Sequence, residues 1–332
     1  MIDKYGRVID YLRISVTDRC NLRCVYCMPE DGVQLIRHDE ILTYDEIIRV
    51  CKIFADLGVS KIKLTGGEPL VRKDLSLLVK DIKGIEGIED VTLTTNGVLL
   101  KNQIKDLAEA GIDAVNVSLD TLSEEQYACV TRRDKLKDAL EGMYEVLKYK
   151  DVKVKVNCVI MPGENDNEWI KLARLSKDKP IDVRFIEMMP IGIGHSNPKG
   201  TQEIVYNKLA SEFGSAESLN GRFGNGPAVY VQFPGFLGRT GFISAISHEF
   251  CSDCNRIRLT ADGFLKLCLQ YSDGRDIKSL LRSNMTDDEI SEIIKNTIYN
   301  KPRCHQFVNS DNEGKKEGTG CLEKRRMSSI GG

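Results

Sequence analysis

The sequence predicts an α/β fold: six strand–helix units in succession, followed by a smaller second lobe. Two observations carry that reading. From residue 10 to about 190, short apolar or β-branched runs alternate with segments whose apolar residues recur at three- and four-residue spacing. The residues that suit packing least (clustered cysteines, paired glycines, short polar turns) fall at the C-terminal ends of those runs. Such alternation implies parallel strands with right-handed crossovers. Six units are two short of an eight-stranded barrel, which leaves a partial barrel or an open doubly wound sheet. A dinucleotide-binding sheet lacks its signature, because no G-x-G-x-x-G follows the first run.

The strand candidates, in order, are YLRISV (11–16), KIKLT (61–65), DVTLTT (90–95), AVNVSL (114–119), VKVKVNCVI (152–160) and DVRFIEM (182–188). The helix candidates between and after them are 43–58, 74–84, 100–111, 135–149 and 165–177. Thr43 and Asp74 are suited to cap helix N-termini, and Gly58 and Gly111 to end helices. The barrel portion is expected over 1–195 and the second lobe over 196–302. That lobe opens with the helical TQEIVYNKLASEF and carries AVYVQF, RIRLT, FLKLCL and a last helix, TDDEISEIIKNTIYN. Residues 303–332 are polar and rich in lysine and glycine, which predicts a flexible tail.

Forty-seven basic residues nearly balance forty-nine acidic ones, so nothing global points to nucleic acid or an anionic membrane. The polar N-terminus predicts no secretory signal, no run is long and apolar enough to span a bilayer, and the expected compartment is the cytoplasm. Eleven cysteines in that compartment are better read as metal ligands or packing residues than as disulfides. Six of them form two triplets: Cys20, Cys24 and Cys27 in DRCNLRCVYC, and Cys251, Cys254 and Cys268 in CSDCNRIRLTADGFLKLC.

A C-x₃-C-x₂-C loop can hold three irons of a 4Fe–4S cube by thiolate and leave the fourth iron to an exogenous chelator. The alternative is a structural zinc, which needs a fourth ligand; His38 is the nearby candidate. The second triplet, C-x₂-C-x₁₃-C, repeats the three-ligand logic, with His248 as the residue a zinc site would need.

The first triplet, with Tyr26 before its last cysteine, resembles the radical S-adenosylmethionine (SAM) superfamily. The resemblance implies a partial (βα)₆ barrel, a 4Fe–4S cluster whose open iron is chelated by SAM, and reductive SAM cleavage to a 5′-deoxyadenosyl radical. TGGEP (65–69) is similar to the superfamily's glycine motif. On that resemblance Gly67, Ser118, Met189 and Tyr26 are SAM contacts, although Met189 reads equally well as core.

CNRIRLTADGFLKLC, RFIEMMPIG (184–192) and the terminal MSSIGG together resemble the GTP 3′,8-cyclase family of molybdenum-cofactor biosynthesis, from about residue 5 to 302 and again at the tail. This implies a second 4Fe–4S cluster, on Cys251, Cys254 and Cys268. It implies GTP contacts at Arg13, Lys63, Thr94, Lys155, Arg256 and Arg258, with Lys61 and Arg184 as further candidates. The charges suit a triphosphate, whose about four negative charges need several cations in a closed pocket. The family usually carries arginine at the position of Lys63, and lysine keeps the charge but loses the bidentate fork.

Catalytic roles are implied for Arg13, Arg256, Arg258, Gly331 and Gly332, the diglycine entering the active site. The lead-in GKKEGTGCLEKRR departs from the usual family spacer. The implied reaction takes the ribose 3′ hydrogen of GTP, closes a ring onto guanine C8 and gives 3′,8-cyclo-7,8-dihydro-GTP. A companion cyclic pyranopterin monophosphate synthase then rearranges the product. An electron donor is required, and family members are often homodimers. Two other readings stay open at the level of sequence: another radical SAM enzyme with an auxiliary cluster, of peptide-modifying or maturase type, and a non-catalytic iron–sulfur or zinc module.

Overall fold

The computed structural model describes residues 1–195, 197–221, 223–307, 322, 323, 325 and 327–331. Six parallel strands form in the predicted places: β1 (Tyr11–Ser15), β2 (Lys61–Thr65), β3 (Asp90–Thr95), β4 (Ala114–Ser118), β5 (Lys153–Ile160) and β6 (Ile181–Glu187). Most are rich in apolar and β-branched residues, and β2 and β3 end in the glycine-containing turns TGGEP and TTNG. Their spatial order β1-β2-β3-β4-β5-β6 follows the chain, so the strands curve as a partial barrel and do not wind in two directions from a switch point.

The helices outside the strands are α1 (Tyr44–Asp56), α2 (Leu75–Lys83), α3 (Ile104–Glu109), α4 (Glu124–Thr131), α5 (Leu136–Val146) and α6 (Trp169–Arg174). Thr43 caps α1 in a reciprocal pair with Glu46. Asp74 differs from expectation: it stands before α2 in the left-handed region at φ 58° and makes no side-chain cap hydrogen bond. One side of the strands meets these helices in a continuous core that includes Leu12, Ile14, Ile62, Leu64, Leu93, Val115, Val156 and Phe185.

The second part supplies α7 (Thr201–Phe213), β7 (Glu217–Leu219), β8 (Val229–Gln232), β9 (Thr240–Ile243), β10 (Arg256–Leu259), β11 (Phe264–Lys266), β12 (Gly274–Asp276), α8 (Ile277–Leu281) and α9 (Asp287–Tyr299). Its strands do not make a separate sheet. β10 pairs in parallel with β1 and β9 in parallel with β6, so each open edge of the six-stranded barrel is extended. Among the described residues this gives one twelve-stranded sheet, and neither barrel edge is left exposed for pairing with other chains. The last described element is α10 (Met327–Ile330), whose Ile330 is fully buried. No helix among the described residues is long and apolar enough to cross a membrane.

Candidate active site

A cavity of about 880 Å³ runs through the barrel, from residues that start strands, such as Tyr11, Lys61 and Asp90, to the turns at the C-terminal ends, where barrels place their chemistry. Both cysteine triplets line it. The first sits on a loop pinned from outside the barrel. Arg23 and Val25 donate backbone N–H bonds to the Thr131 and Val130 carbonyls at the end of α4, both at 2.9 Å. Arg132 donates to the Arg23 and Met28 carbonyls at 2.8 and 3.0 Å. Cys27 and Met28 donate N–H bonds to the Cys24 carbonyl at 2.9 Å, which turns the loop so that its thiols share one side.

The TGGEP turn packs on this loop. Gly67 N–H bonds the Thr17 carbonyl at 2.7 Å and Glu68 N–H the Arg19 carbonyl at 2.8 Å. A Cβ on Gly67 would lie 2.3 Å from the Arg19 oxygen. The close backbone approach is therefore to the chain's own cysteine loop. Gly67→Ala is expected to cost about 2 kcal/mol from overpacking. A fall of a few degrees in thermal midpoint, with reduced iron after reconstitution, would check this. Glu68 accepts from Thr95 Oγ1 (2.7 Å), Asn96 N–H (2.7 Å) and Leu70 N–H (3.0 Å), and burial pushes its carboxyl up to about 7.

In the first triplet burial raises the Cys20 thiol even though the Arg23 guanidinium stands near it as a counter-charge. Burial, followed by the neighbouring Cys27, Asp120 and Cys20, pushes the Cys24 thiol well up. A cluster's irons would offset the burial and mutual repulsion that raise these thiols, so the donor set fits one. A single zinc would draw its thiolates to within about 4 Å of each other. Among the described residues, no three His, Cys, Asp or Glu side chains converge closely enough to hold one metal ion.

The second triplet stands on a short turn at Cys251–Asp253, on Cys254 and on Cys268 beyond β11. Arg7 donates to the Cys251 carbonyl at 2.9 Å and to the Pro302 and Arg303 carbonyls at 2.7 and 2.9 Å, which ties the N-terminus to this turn. Burial pushes Cys251 up to about 11. Burial also raises Cys254, but Lys301 and Arg256 outweigh it and bring this thiol down to about 6.

Between the triplets lies a belt of cations set by strand register. Arg258 on β10, Arg13 on β1 and Lys63 on β2 are direct neighbours across three parallel strands. Lys155 pairs with Asn116 across β5 and β4, and Arg184 with Asn157 across β6 and β5. Arg13, Lys63 and Arg258 are held below their ordinary values, by burial first and then by one another's charge or that of Arg184, Arg256 or Lys155. Like charges side by side on strands destabilise a fold, so the belt is built for an anion.

Residues 14–176 match the radical SAM superfamily, and residues 181–307 match the Molybdenum Cofactor Synthesis C family. The chain is 45% identical to a GTP 3′,8-cyclase of Clostridium perfringens over 337 aligned residues, covering 100% of both chains. It is 46% identical to one of Pelotomaculum thermopropionicum and 42% identical to one of Petrotoga mobilis, again covering all of both. The chain belongs to the GTP 3′,8-cyclase family. In fold it is similar to the Streptococcus suis protein SuiB crystallised with S-adenosylmethionine, with a TM-score of 0.61 at 13% identity over 89% of this chain and 67% of that one. As a radical SAM protein of this family it works with 4Fe–4S clusters and SAM, which the two donor sets fit.

Within this GTP 3′,8-cyclase family member, Tyr26, Gly67, Ser118, Met189, Lys63, Thr94, Lys155, Arg13, Arg256, Arg258 and the six cysteines all line the one cavity. Lys61 lines it too, but is paired with Asp10 at 2.5 Å. Lys155 already donates to the Phe223 carbonyl at 2.5 Å, and burial lowers it to about 8. Met189 also packs against an apolar cluster of Ile191, Ile246, Phe307 and Ile330. Gly331 is in the left-handed region at φ 73°, and its carbonyl accepts from the Arg258 guanidinium. A Cβ there would lie 3.1 Å from Thr65 Cγ2. Gly332 lies outside the described residues.

Sequence reasoning missed several residues. Asp120 accepts from the Tyr26 hydroxyl at 2.7 Å, which orients that ring. Asn96 reaches Asn21 of the cysteine loop at 2.7 Å. Phe250 stacks under the Arg256 guanidinium, with 4.8 Å to the ring centroid. Asn96 and Asp120 fall in short polar turns that follow β3 and β4, and nothing in those turns named a partner. Arg7 left no sequence signal, since its partner Cys251 is distant in the chain.

Proposed function

We propose that this chain converts GTP to 3′,8-cyclo-7,8-dihydro-GTP, the first step of molybdenum-cofactor biosynthesis. The observation that carries the reading is the belt of Lys63, Arg13 and Arg258 between two cysteine triplets in a single cavity. When bound, the reduced cluster on Cys20, Cys24 and Cys27 together with SAM supplies a 5′-deoxyadenosyl radical able to take the ribose 3′ hydrogen. Tyr26, Gly67, Ser118 and Met189 hold SAM at that end, and Asp120 keeps Tyr26 in place. Arg13, Lys63, Thr94, Lys155, Arg256 and Arg258 hold the nucleotide, the cations gripping its triphosphate with charge-assisted bonds. That grip fixes the ribose between the triplets and turns the guanine toward Cys251, Cys254 and Cys268. Arg13, Arg256, Arg258, Gly331 and Gly332 assist the radical steps, and the buried Ile330 helps exclude water.

Residues 1–195 serve as the SAM half, 196–302 as the nucleotide half and 303–332 as a tail that completes the site. An external electron donor reduces the clusters, and a companion cyclic pyranopterin monophosphate synthase takes the product. We place the reaction in the cytoplasm, in a protein that forms homodimers and needs neither nucleic acid nor membrane.

The test is an anaerobic reaction with dithionite, SAM and GTP, analysed by mass spectrometry. Cyclised nucleotide and 5′-deoxyadenosine in equal amounts support the proposal. 5′-Deoxyadenosine without any cyclised nucleotide would leave the radical chemistry and remove the substrate. Lys63→Ala is expected to weaken GTP binding about ten- to a hundredfold, the loss of one charge-assisted contact. SAM cleavage in the absence of GTP should not change. Titration calorimetry on the reconstituted protein measures the first effect.

A further inference from the structure

Lys266 ends strand β11 with its side chain entirely withdrawn from solvent, and its counter-charge comes from the far end of the chain. Its ammonium donates to the carboxylate of Glu323, itself almost fully buried, and to the Tyr271 carbonyl at 2.6 Å. The backbone around Glu323 is fixed too. Leu322 forms an antiparallel bridge with Tyr271, and Glu323 N–H bonds the Gln270 carbonyl at 2.7 Å. Arg325 closes the other side. Its backbone N–H reaches Glu323 Oε1 at 2.8 Å and its guanidinium reaches the two carboxylate oxygens at 3.2 and 3.3 Å.

Downstream, Ile330 is seated against Ile191, Ile246 and Phe307, and the Gly331 carbonyl accepts from Arg258. The two anchors differ in kind. An apolar seat is non-directional and tolerates sliding. A fully buried ion pair adds little net stability over an apolar pair, but it accepts only one partner in one place, which is how buried charges set register. Glu323 stands eight residues before Gly331, so fixing it fixes where the glycine arrives.

We propose that Glu323 is a positioning residue: paired with Lys266, it sets the register in which the tail presents Gly331 to Arg258. This rests on the reading that Gly331 takes part in the reaction on GTP. The test uses the full-length reconstituted enzyme and Glu323→Gln, which changes the tail and leaves β11 and Cys268 untouched. Two quantities are read: hydrogen exchange at the backbone of residues 330–331, and cyclised nucleotide formed per 5′-deoxyadenosine.

Glu323→Gln should exchange about tenfold faster there and give about tenfold less product per SAM cleaved. Iron content and SAM cleavage without GTP should match the wild type, and Glu323→Asp should recover part of both losses. Wild-type exchange in Glu323→Gln overturns the proposal, as does faster exchange with an unchanged product ratio. Loss of iron in both variants also overturns it, by making Glu323 a residue of folding alone. If the wild type itself forms no cyclised nucleotide, the substrate reading has failed, and the exchange measurement still decides whether Glu323 holds the tail.

Discussion

Cys24→Ala is expected to abolish formation of 5′-deoxyadenosine, to below a thousandth of the wild-type rate. On the proposed assignment Cys20, Cys24 and Cys27 would hold a cube by three thiolates and leave its fourth iron to SAM. Losing a thiolate leaves two, and a cube held by two thiolates neither stays assembled nor keeps its open corner aimed into the cavity. Burial and then the neighbouring Cys27, Asp120 and Cys20 push the Cys24 thiol well up. The loop would keep its shape, because its anchors are backbone bonds to Val130 and Thr131 and the Arg132 contacts. The protein should therefore fold, bind GTP through the cation belt with little change, and lose about half its iron. Iron analysis, calorimetry with GTP and chromatography of the SAM products together check this. Wild-type 5′-deoxyadenosine output from Cys24→Ala would be incompatible with the assignment.

Cys268→Ala is expected to separate the two halves of the reaction. Cys268 lies beyond β11, on the opposite side of the cation belt from the first triplet. Its loss should leave SAM cleavage within about threefold of wild type and reduce cyclised nucleotide by at least a thousandfold. Without the second cluster the guanine end of the substrate has no fixed partner, and a misplaced reacting atom costs orders of magnitude in rate. The reading is a ratio, product over 5′-deoxyadenosine, so a general loss of folded protein cannot imitate it. Equal loss of both would mean that the second cluster serves stability alone.

The six barrel strands were legible because short apolar or β-branched runs alternate with helix-periodic segments, and both cysteine triplets were legible from spacing alone. What escaped was long-range. α4 reads poorly in sequence, since EEQYACVT has little apolar periodicity; yet its last carbonyls pin the cysteine loop. Nothing local in RIRL or TGFI says that one will pair with β1 and the other with β6, because pairing register depends on the whole barrel's curvature. The two-residue spacing of Arg256 and Arg258 puts both on one face of a strand, but does not say that Arg258, Arg13 and Lys63 stand in one row. The tail's polar lead-in predicts mobility, and residues 308–321 lie outside the described residues; Glu323 and Ile330 seat its last described residues against the site. A single acidic residue and a single isoleucine are too sparse a pattern to announce an anchor.

The central claim is that SAM and GTP meet in one cavity, with the ribose held between the two triplets. The most direct measurement is an anaerobic turnover with GTP deuterated at the ribose 3′ carbon, followed by mass analysis of the 5′-deoxyadenosine released. The account predicts one deuterium in that product. 5′-Deoxyadenosine free of deuterium, formed alongside consumed GTP, would contradict it.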